Sequence, residues 1–285
     1  MKIFKILRKL LLWVGIFVGV STLVFLAFSA YANARLQQRT YPDPFNNCKK
    51  IWSARGLYAT PAQQNTIESF SHAFAEGALG GEIDVFFDVD LQTFVVSHDF
   101  PYNTKNGELL FLDQVFDAVG PSPYFWLDFK NLRDLNKTHV QNAIAQLNAM
   151  AEQTGNKTHI YIEGSNPSNL SRFKKAGFLT ILDVHPEPDG SLFAGAMIRA
   201  YKILFYFGDY SVMGMKYGSL EKPVYGSKTR QRLGNIPIFL YHVPVEEGLV
   251  KDLLAQPAVR VLLVGRDQSV NFFQHTACLE KEQQP

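Results

Sequence analysis

The chain has 285 residues, 47% of them hydrophobic and 19% charged, with a formal net charge of +2 at pH 7. So small a net charge excludes a polycationic nucleic-acid-binding surface, and so large an apolar share excludes an intrinsically disordered chain. Behind an N-terminal segment, about 240 residues remain, enough for one large domain with a substantial core.

Residues 1–40 read as a membrane segment separate from the fold. Lys2, Lys5, Arg8 and Lys9 precede an apolar run from Leu10 to about Tyr31, and roughly 20 apolar residues suffice to cross a bilayer. These cations, set against Arg35 and Arg39 behind the run, predict a cytoplasmic N-terminus and a body outside the cytoplasm. Ala30-Tyr31-Ala32 and Ala32-Asn33-Ala34 also fit a signal-peptide cleavage site, after which the body would be secreted. The apolar run exceeds the roughly 7–15 residues of a signal-peptide core, which favours a retained single-pass anchor. The expected division is an anchor over 1–34, a tether over 35–47 containing Pro42 and Pro44, a folded domain over 48–275, and a tail over 276–285.

The domain alternates strand and helix patterns. Strands are expected at 51–54, 81–87, 124–129, 159–163, 179–184, 212–216, 238–243 and 259–264, with an extended excursion at 94–97. Helices are expected at 66–76, 110–118, 137–152 and 169–176, and 192–208 is unusually apolar for a barrel helix. That segment either packs on the sheet or lies in a membrane interface, and it is too short for a good second span. About eight strands alternating with helices predict an α/β fold, a parallel (β/α)8 TIM-type barrel preceded by one transmembrane helix. Barrel closure would bring Cys48 and Cys278 toward one another, and a disulfide or two separate thiols both remain open. Asn136, Asn156 and Asn169 begin N-x-S/T triplets.

Glu82 and Asp84 are two apart on a predicted strand, so both leave the same face. Their mutual repulsion is relieved by a hard divalent ion with oxygen ligands, Mg²⁺ or Ca²⁺, while two ordinary acids on a solvated strand edge is the plainer reading. In a parallel barrel, chemistry gathers at the carboxyl ends of the strands. Arg55, Glu82, Asp84, Asp128, Lys130, Glu163 and His242 all fall near such ends.

Several motifs in order carry a resemblance. They are Ser53-Ala54-Arg55-Gly56, Gln64-Asn65-Thr66, Gly77-Ala78, Glu82-Ile83-Asp84-Val85, Val95-Val96-Ser97-His98-Asp99, Asn103-Thr104 with Gly107, and Leu127-Asp128-Phe129-Lys130. Over roughly residues 48–270 the chain resembles the glycerophosphodiester phosphodiesterase family, with its H-R-G, E-N-T, G-A, E-x-D-V and V-V-x-H-D motifs. Phe239–Val243 is a weaker match to the family's W-T-V strand. Asp84-Val85-Phe86-Phe87-Asp88 is also similar to sphingomyelinase D, a more distant relative. The resemblance implies a membrane-tethered, metal-dependent phosphoric diester hydrolase acting on glycerophosphodiesters or related lipid-derived diesters. It further implies Glu82, Asp84 and Asp128 as metal ligands, Arg55 and Lys130 as phosphate-binding residues, and His98 as the catalytic acid.

The chain departs from the pattern at three positions: Ala54 replaces the first catalytic histidine, Gln64 a glutamate, and Asp128 a glutamate. Alanine transfers no proton, so a non-catalytic relative that binds a metal and a phosphate-bearing ligand is the alternative. His242 and Tyr58 are the sequence's candidates to replace the missing group.

Overall fold

The computed structural model describes residues 2–41, 49–104 and 107–265. Cys48, Cys278 and the tail over 276–285 lie outside the described residues.

Helix α1 spans Lys2–Gln38 and contains the predicted apolar run. By length and composition it is able to cross a membrane. One expectation changes here, because residues 1–40 are not wholly separate from the fold. Ala32 and Leu36 are buried, and Leu36 joins the main core. The cause is helix α6, Ala194–Gly208, whose apolar outer face takes the last turns of α1. The apolar stretch at 192–208 therefore packs inward through Ala194, Ile198 and Phe205 and outward against α1.

Eight parallel strands form the barrel: β1 (Ile51–Ala54), β2 (Gly80–Asp88), β4 (Tyr124–Phe129), β5 (Ile160–Gly164), β6 (Leu179–Asp183), β7 (Val212–Lys216), β8 (Ile238–Tyr241) and β9 (Val259–Gly265). β1 pairs with both β2 and β9, which closes the sheet. Strand β3, Thr93–Val96, folds back antiparallel on the upper half of β2. Helices α2 (Ile67–Ala75), α3 (Leu112–Val119), α4 (Lys137–Thr154), α5 (Pro167–Lys175), α6, α7 (Ser227–Leu233) and α8 (Glu247–Ala255) connect the strands. Asn156 is fully buried, and Asn169 is buried with its amide donating to the Leu132 and Leu135 carbonyls, so neither is presented for glycosylation.

The two faces of each strand separate the core into two layers. Ile51, Ile83, Leu127, Ile162 and Met213 face outward and pack under the helices. Trp52, Trp126, Tyr161, Ile181, Val212, Phe239, Val261 and Leu263 form the inner cluster. Its rings meet edge to face or tilted, with Phe239 at 5.5 Å from Trp52, 5.2 Å from Trp126 and 5.0 Å from Tyr161. This aromatic plug fills the barrel and is a floor for the polar residues above it.

Gly80 makes room for the plug: a Cβ there would lie 2.7 Å from the Trp52 ring. Gly80→Ala is expected to destabilise the fold by about 1–3 kcal/mol, the usual cost of overpacking. A lowered midpoint in urea denaturation, with an unchanged slope, is the outcome to look for.

Candidate functional site

Along most strands the last inward position changes from apolar to polar, β1 with Ala54 and β9 with Gly265 being exceptions. Above Trp52 comes Ala54, above Gly80 come Glu82 and Asp84, and above Trp126 comes Asp128. Above Tyr161, Ile181 and Phe239 come Glu163, Asp183 and Tyr241. The strand ends thus bring a ring of carboxylates together at one mouth.

Asp84 is fully buried and is held by cations from both neighbouring strands. The Arg55 Nε lies 2.9 Å from Oδ2, and the Lys130 Nζ 2.7 Å from Oδ1. Asn65 Nδ2 donates to Oδ2 at 2.7 Å, while the Asp84 amide donates to Asn65 Oδ1 at 3.3 Å. Lys130 also donates to Asp128. These carboxylates, acting against its burial, push the Lys130 ammonium above its usual range. Arg55 donates a further bond to Gln64 Oε1 at 3.2 Å.

Local structure explains these placements. Arg55 follows β1 with φ 61°, and Asn65 has φ 54°, left-handed conformations that a non-glycine residue adopts only when surroundings enforce them. The Arg55 amide donates to the Glu82 carbonyl, and the Asn65 amide to the Arg55 carbonyl. Gly56 lies so close to helix α2 that a Cβ would sit 2.3 Å from Ser69 Oγ. Thr66 caps α2 by accepting from the Ser69 amide. The A-R-G and Q-N-T motifs are therefore two halves of one turn that aims Arg55 and Asn65 at Asp84.

A second group lies beside this node. Ligand oxygens of Glu82, Asp128 and Glu163 all fall within 4.8 Å of one another. At that distance two unit charges repel by about 3 kcal/mol at an effective dielectric constant of roughly 20, so three carboxylates do not ionise together without a cation. Burial, then Asp84 and Asp128, push the Glu82 carboxyl up to about 8. Burial, then Asp128 and Asp183, push Glu163 well above the carboxylate range, although the Trp126 indole N–H donates to it. Burial also raises Asp128, with Lys130 opposing. An oxygen-only donor set of this kind fits a hard divalent ion such as Mg²⁺ or Ca²⁺.

Of the three ligands expected from sequence, Glu82 and Asp128 belong to this cluster. Asp84 faces Arg55, Lys130 and Asn65, and Glu163 completes the trio. Glu163 carried a sequence signal, an acid closing a strand pattern, without a motif to assign it a role. Asp183 and Tyr241 carried less. The Tyr241 hydroxyl donates to Asp183 Oδ1 at 3.2 Å, and His185 Nε2 pairs with Asp183 Oδ2 at 2.9 Å.

A cleft of about 570 Å³ opens at this mouth, lined in part by Ala54, Arg55, Gln64, Glu82, His98 and His242. His98 sits on a turn tied by Ser97, whose hydroxyl donates to the Asp99 carbonyl and accepts from the Asn103 amide. Its Nδ1 meets Asp99 Oδ1 at 2.8 Å. Tyr58 also lines the cleft. His242 directly follows β8 with φ 48°, a second strained residue at a strand end. Burial, with help from Arg55 and Lys216, lowers its basicity.

No family model and no curated protein sequence matches the chain. Solved structures do. A glycerophosphodiester phosphodiesterase from Thermotoga maritima superposes with TM-score 0.56 at 17% identity, covering 80% of this chain and 97% of that one. Another from Parabacteroides distasonis gives TM-score 0.55 at 15% identity, over 82% and 98%. An Oleispira antarctica phosphodiesterase, solved with the product sn-glycerol-3-phosphate, gives 0.53 at 13% identity, over 79% and 95%. The likeness establishes the barrel fold, the one that these motifs imply.

His185 and His242 are expected to titrate on opposite sides of the ordinary imidazole value near 6.5. The Asp183 contact raises His185, whereas burial lowers His242. A pH series of histidine NMR spectra on metal-free protein should show, near pH 6.5, His185 mostly protonated and His242 mostly neutral.

Proposed function

We propose that the protein is a metal-dependent phosphoric diester hydrolase whose substrates are glycerophosphodiesters or related lipid-derived diesters. The observation that carries this reading is the Glu82, Asp128 and Glu163 cluster, whose Glu82 lines one cleft with Arg55 and His98. Support comes also from the fold shared with glycerophosphodiester phosphodiesterases, one of them holding sn-glycerol-3-phosphate.

Glu82, Asp128 and Glu163 would hold Mg²⁺ or Ca²⁺, with Asp84 as the anchor for the two cations beside them. A bound divalent ion would supply phosphate-charge neutralisation and an activated hydroxyl. Arg55 offers a planar fork of donors to phosphoryl oxygens, pre-aimed because Asp84 and Gln64 fix its head. Lys130, kept protonated by Asp84 and Asp128, adds a point charge on the same side. His98, its Nδ1 engaged by Asp99, would deliver a proton from Nε2 to the leaving alkoxide.

With Ala54 in place of the family's histidine, the base must come from elsewhere. His242 lines the same cleft, and burial with Arg55 and Lys216 favours its neutral form, the state that accepts a proton. Gly265, paired with Ala54 in register, has no side chain to fill the space between the ends of β1 and β8. His242 is the replacement this geometry supports. Ala54 itself favours a second reading, a non-catalytic barrel that binds a metal and a phosphate-bearing ligand through the same residues.

Hydrolysis of a soluble glycerophosphodiester by the full-length protein, titrated with Mg²⁺, Ca²⁺ and EDTA, separates the readings. Turnover that EDTA and Glu82→Ala both abolish supports the enzyme. Metal binding without turnover supports the binder. In an active enzyme, His98→Ala and His242→Ala are each expected to lower kcat by about 10²–10⁴-fold, the usual worth of a general acid or base. An unchanged rate in His242→Ala would remove that residue from the chemistry.

Metal binding itself is expected to release protons at pH 7, since Glu82 with a pKa of about 8 is then mostly protonated. Apparent metal affinity should rise as pH increases through this range, since the raised Glu163 carboxyl must lose its proton as well. Calorimetry in buffers of different ionisation enthalpy measures the release. Glu163→Gln should weaken binding by more than the roughly 10–100-fold loss typical of an outer-shell change.

A further inference from the structure

The contact between α1 and the barrel is confined to one end of the barrel. Phe28 packs edge to face on Phe207 at 5.8 Å, and Tyr31 on Tyr206 at 5.7 Å. Lys202 donates to Asn33 and to the Arg232 carbonyl, and Arg39 pairs with Asp209 at 2.8 Å. Asn235 Nδ2 donates to the Arg39 carbonyl at 3.4 Å. Residues 202–208 finish α6 and Asp209 caps it, Arg232 stands at the end of α7, and Asn235 precedes β8. In a parallel barrel the helices run back against the strands, so these positions mark the base, where strands begin.

The mouth with the carboxylates lies at the other end of the same strands. β7 leads from Val212 near the base to Lys216 at the mouth, about 13 Å at the usual rise per residue.

The chemistry of the base matches a lipid interface. Tyr31 closes the apolar run of α1, and Arg35 and Arg39 follow it, the aromatic and cationic order of a membrane boundary. At this level α6 presents Leu204, 41% exposed, and Phe207, 56% exposed, three residues apart on one helical face. Phe207 touches both Phe28 and Tyr31, so this apolar face continues the surface of the span. The same contacts oppose removal of α1 as a leader. Cleavage after Ala32 or Ala34 would strip the helix that covers α6 and cut beside Asn33, the acceptor for Lys202.

We propose that α1 is retained and that the base of the barrel, through Leu204 and Phe207, rests in the interface of the bilayer that α1 crosses. The active-site mouth then opens on the face remote from that bilayer. Taken with the hydrolase reading, on which this consequence rests, the substrates are diesters that arrive from water, polar headgroup fragments without acyl chains.

Hydroxyl-radical footprinting of the full-length protein in phosphatidylcholine vesicles tests the surface without depending on activity. Leu192 and Phe193, 88% and 66% exposed, precede α6 at the mouth end and are internal controls. Leu204 and Phe207 are expected to lose oxidation several-fold on passing from detergent to vesicles, while Leu192, Phe193 and Phe100 keep theirs. Protection of the latter three instead would place the mouth on the membrane and overturn the proposal. Oxidation at both ends would show that the barrel stands clear of the bilayer, and a mature chain beginning at 33 or 35 would show that α1 is cleaved; either result overturns it. For the substrate, a soluble glycerophosphodiester should be hydrolysed faster than a diacyl phospholipid in the same vesicles. The reverse preference would overturn the substrate assignment alone. Hydrolysis of neither would overturn the hydrolase reading and leave the footprint to decide the surface.

Discussion

The buried carboxylate of Asp84 is the interaction on which the mouth of this barrel depends. A charge with no solvent exposure is costly unless paired and hydrogen-bonded, and here Arg55, Lys130 and Asn65 converge on it from three segments of the chain. That requirement joins β1, the turn before α2, β2 and β4. It also explains why Arg55 and Asn65 occupy left-handed backbone conformations. Once those cations are committed to Asp84, they do little to neutralise Glu82 and Glu163.

That imbalance is the electrostatic core of the functional reading. Lys130 shares its charge between Asp84 and Asp128, and among the described residues Glu163 has only the Trp126 indole donor for support. The aromatic plug beneath the cluster excludes water from below and raises the cost of each bare charge. A divalent ion would resolve the conflict with the oxygens already present. The same low-dielectric floor strengthens whatever electrostatic stabilisation the cleft offers to a phosphate.

At the opposite end, the α1–α6 contact makes the hydrophobic segment an integral part of the barrel's exterior. Leu36 and Ala32 bury apolar surface, while Tyr31, Tyr206, Arg39 and Asp209 arrange polar groups around it. The carboxylate mouth and the α1 contact are thereby kept apart by the height of the sheet. The separation follows from the direction in which parallel strands and returning helices must run.

Much of this was legible in the chain itself. Strand and helix periodicity placed β1, β4 and β7 at their observed bounds and gave the order that makes a closed parallel barrel, because alternation of side chains is a local property of the backbone. Spacing set Glu82 and Asp84 on one face. Tertiary structure decided which acids meet. Asp84 and Glu82 share a face, yet Asp84 turns to Arg55 and Lys130, and Glu163, from the distant strand β5, joins Glu82 and Asp128 instead. His242 beside Ala54 and Leu36 in the core were likewise settled by barrel closure and helix docking. These partners are distant in sequence, and only the closing of the sheet and the packing of helices on it determine which charges and apolar faces become neighbours.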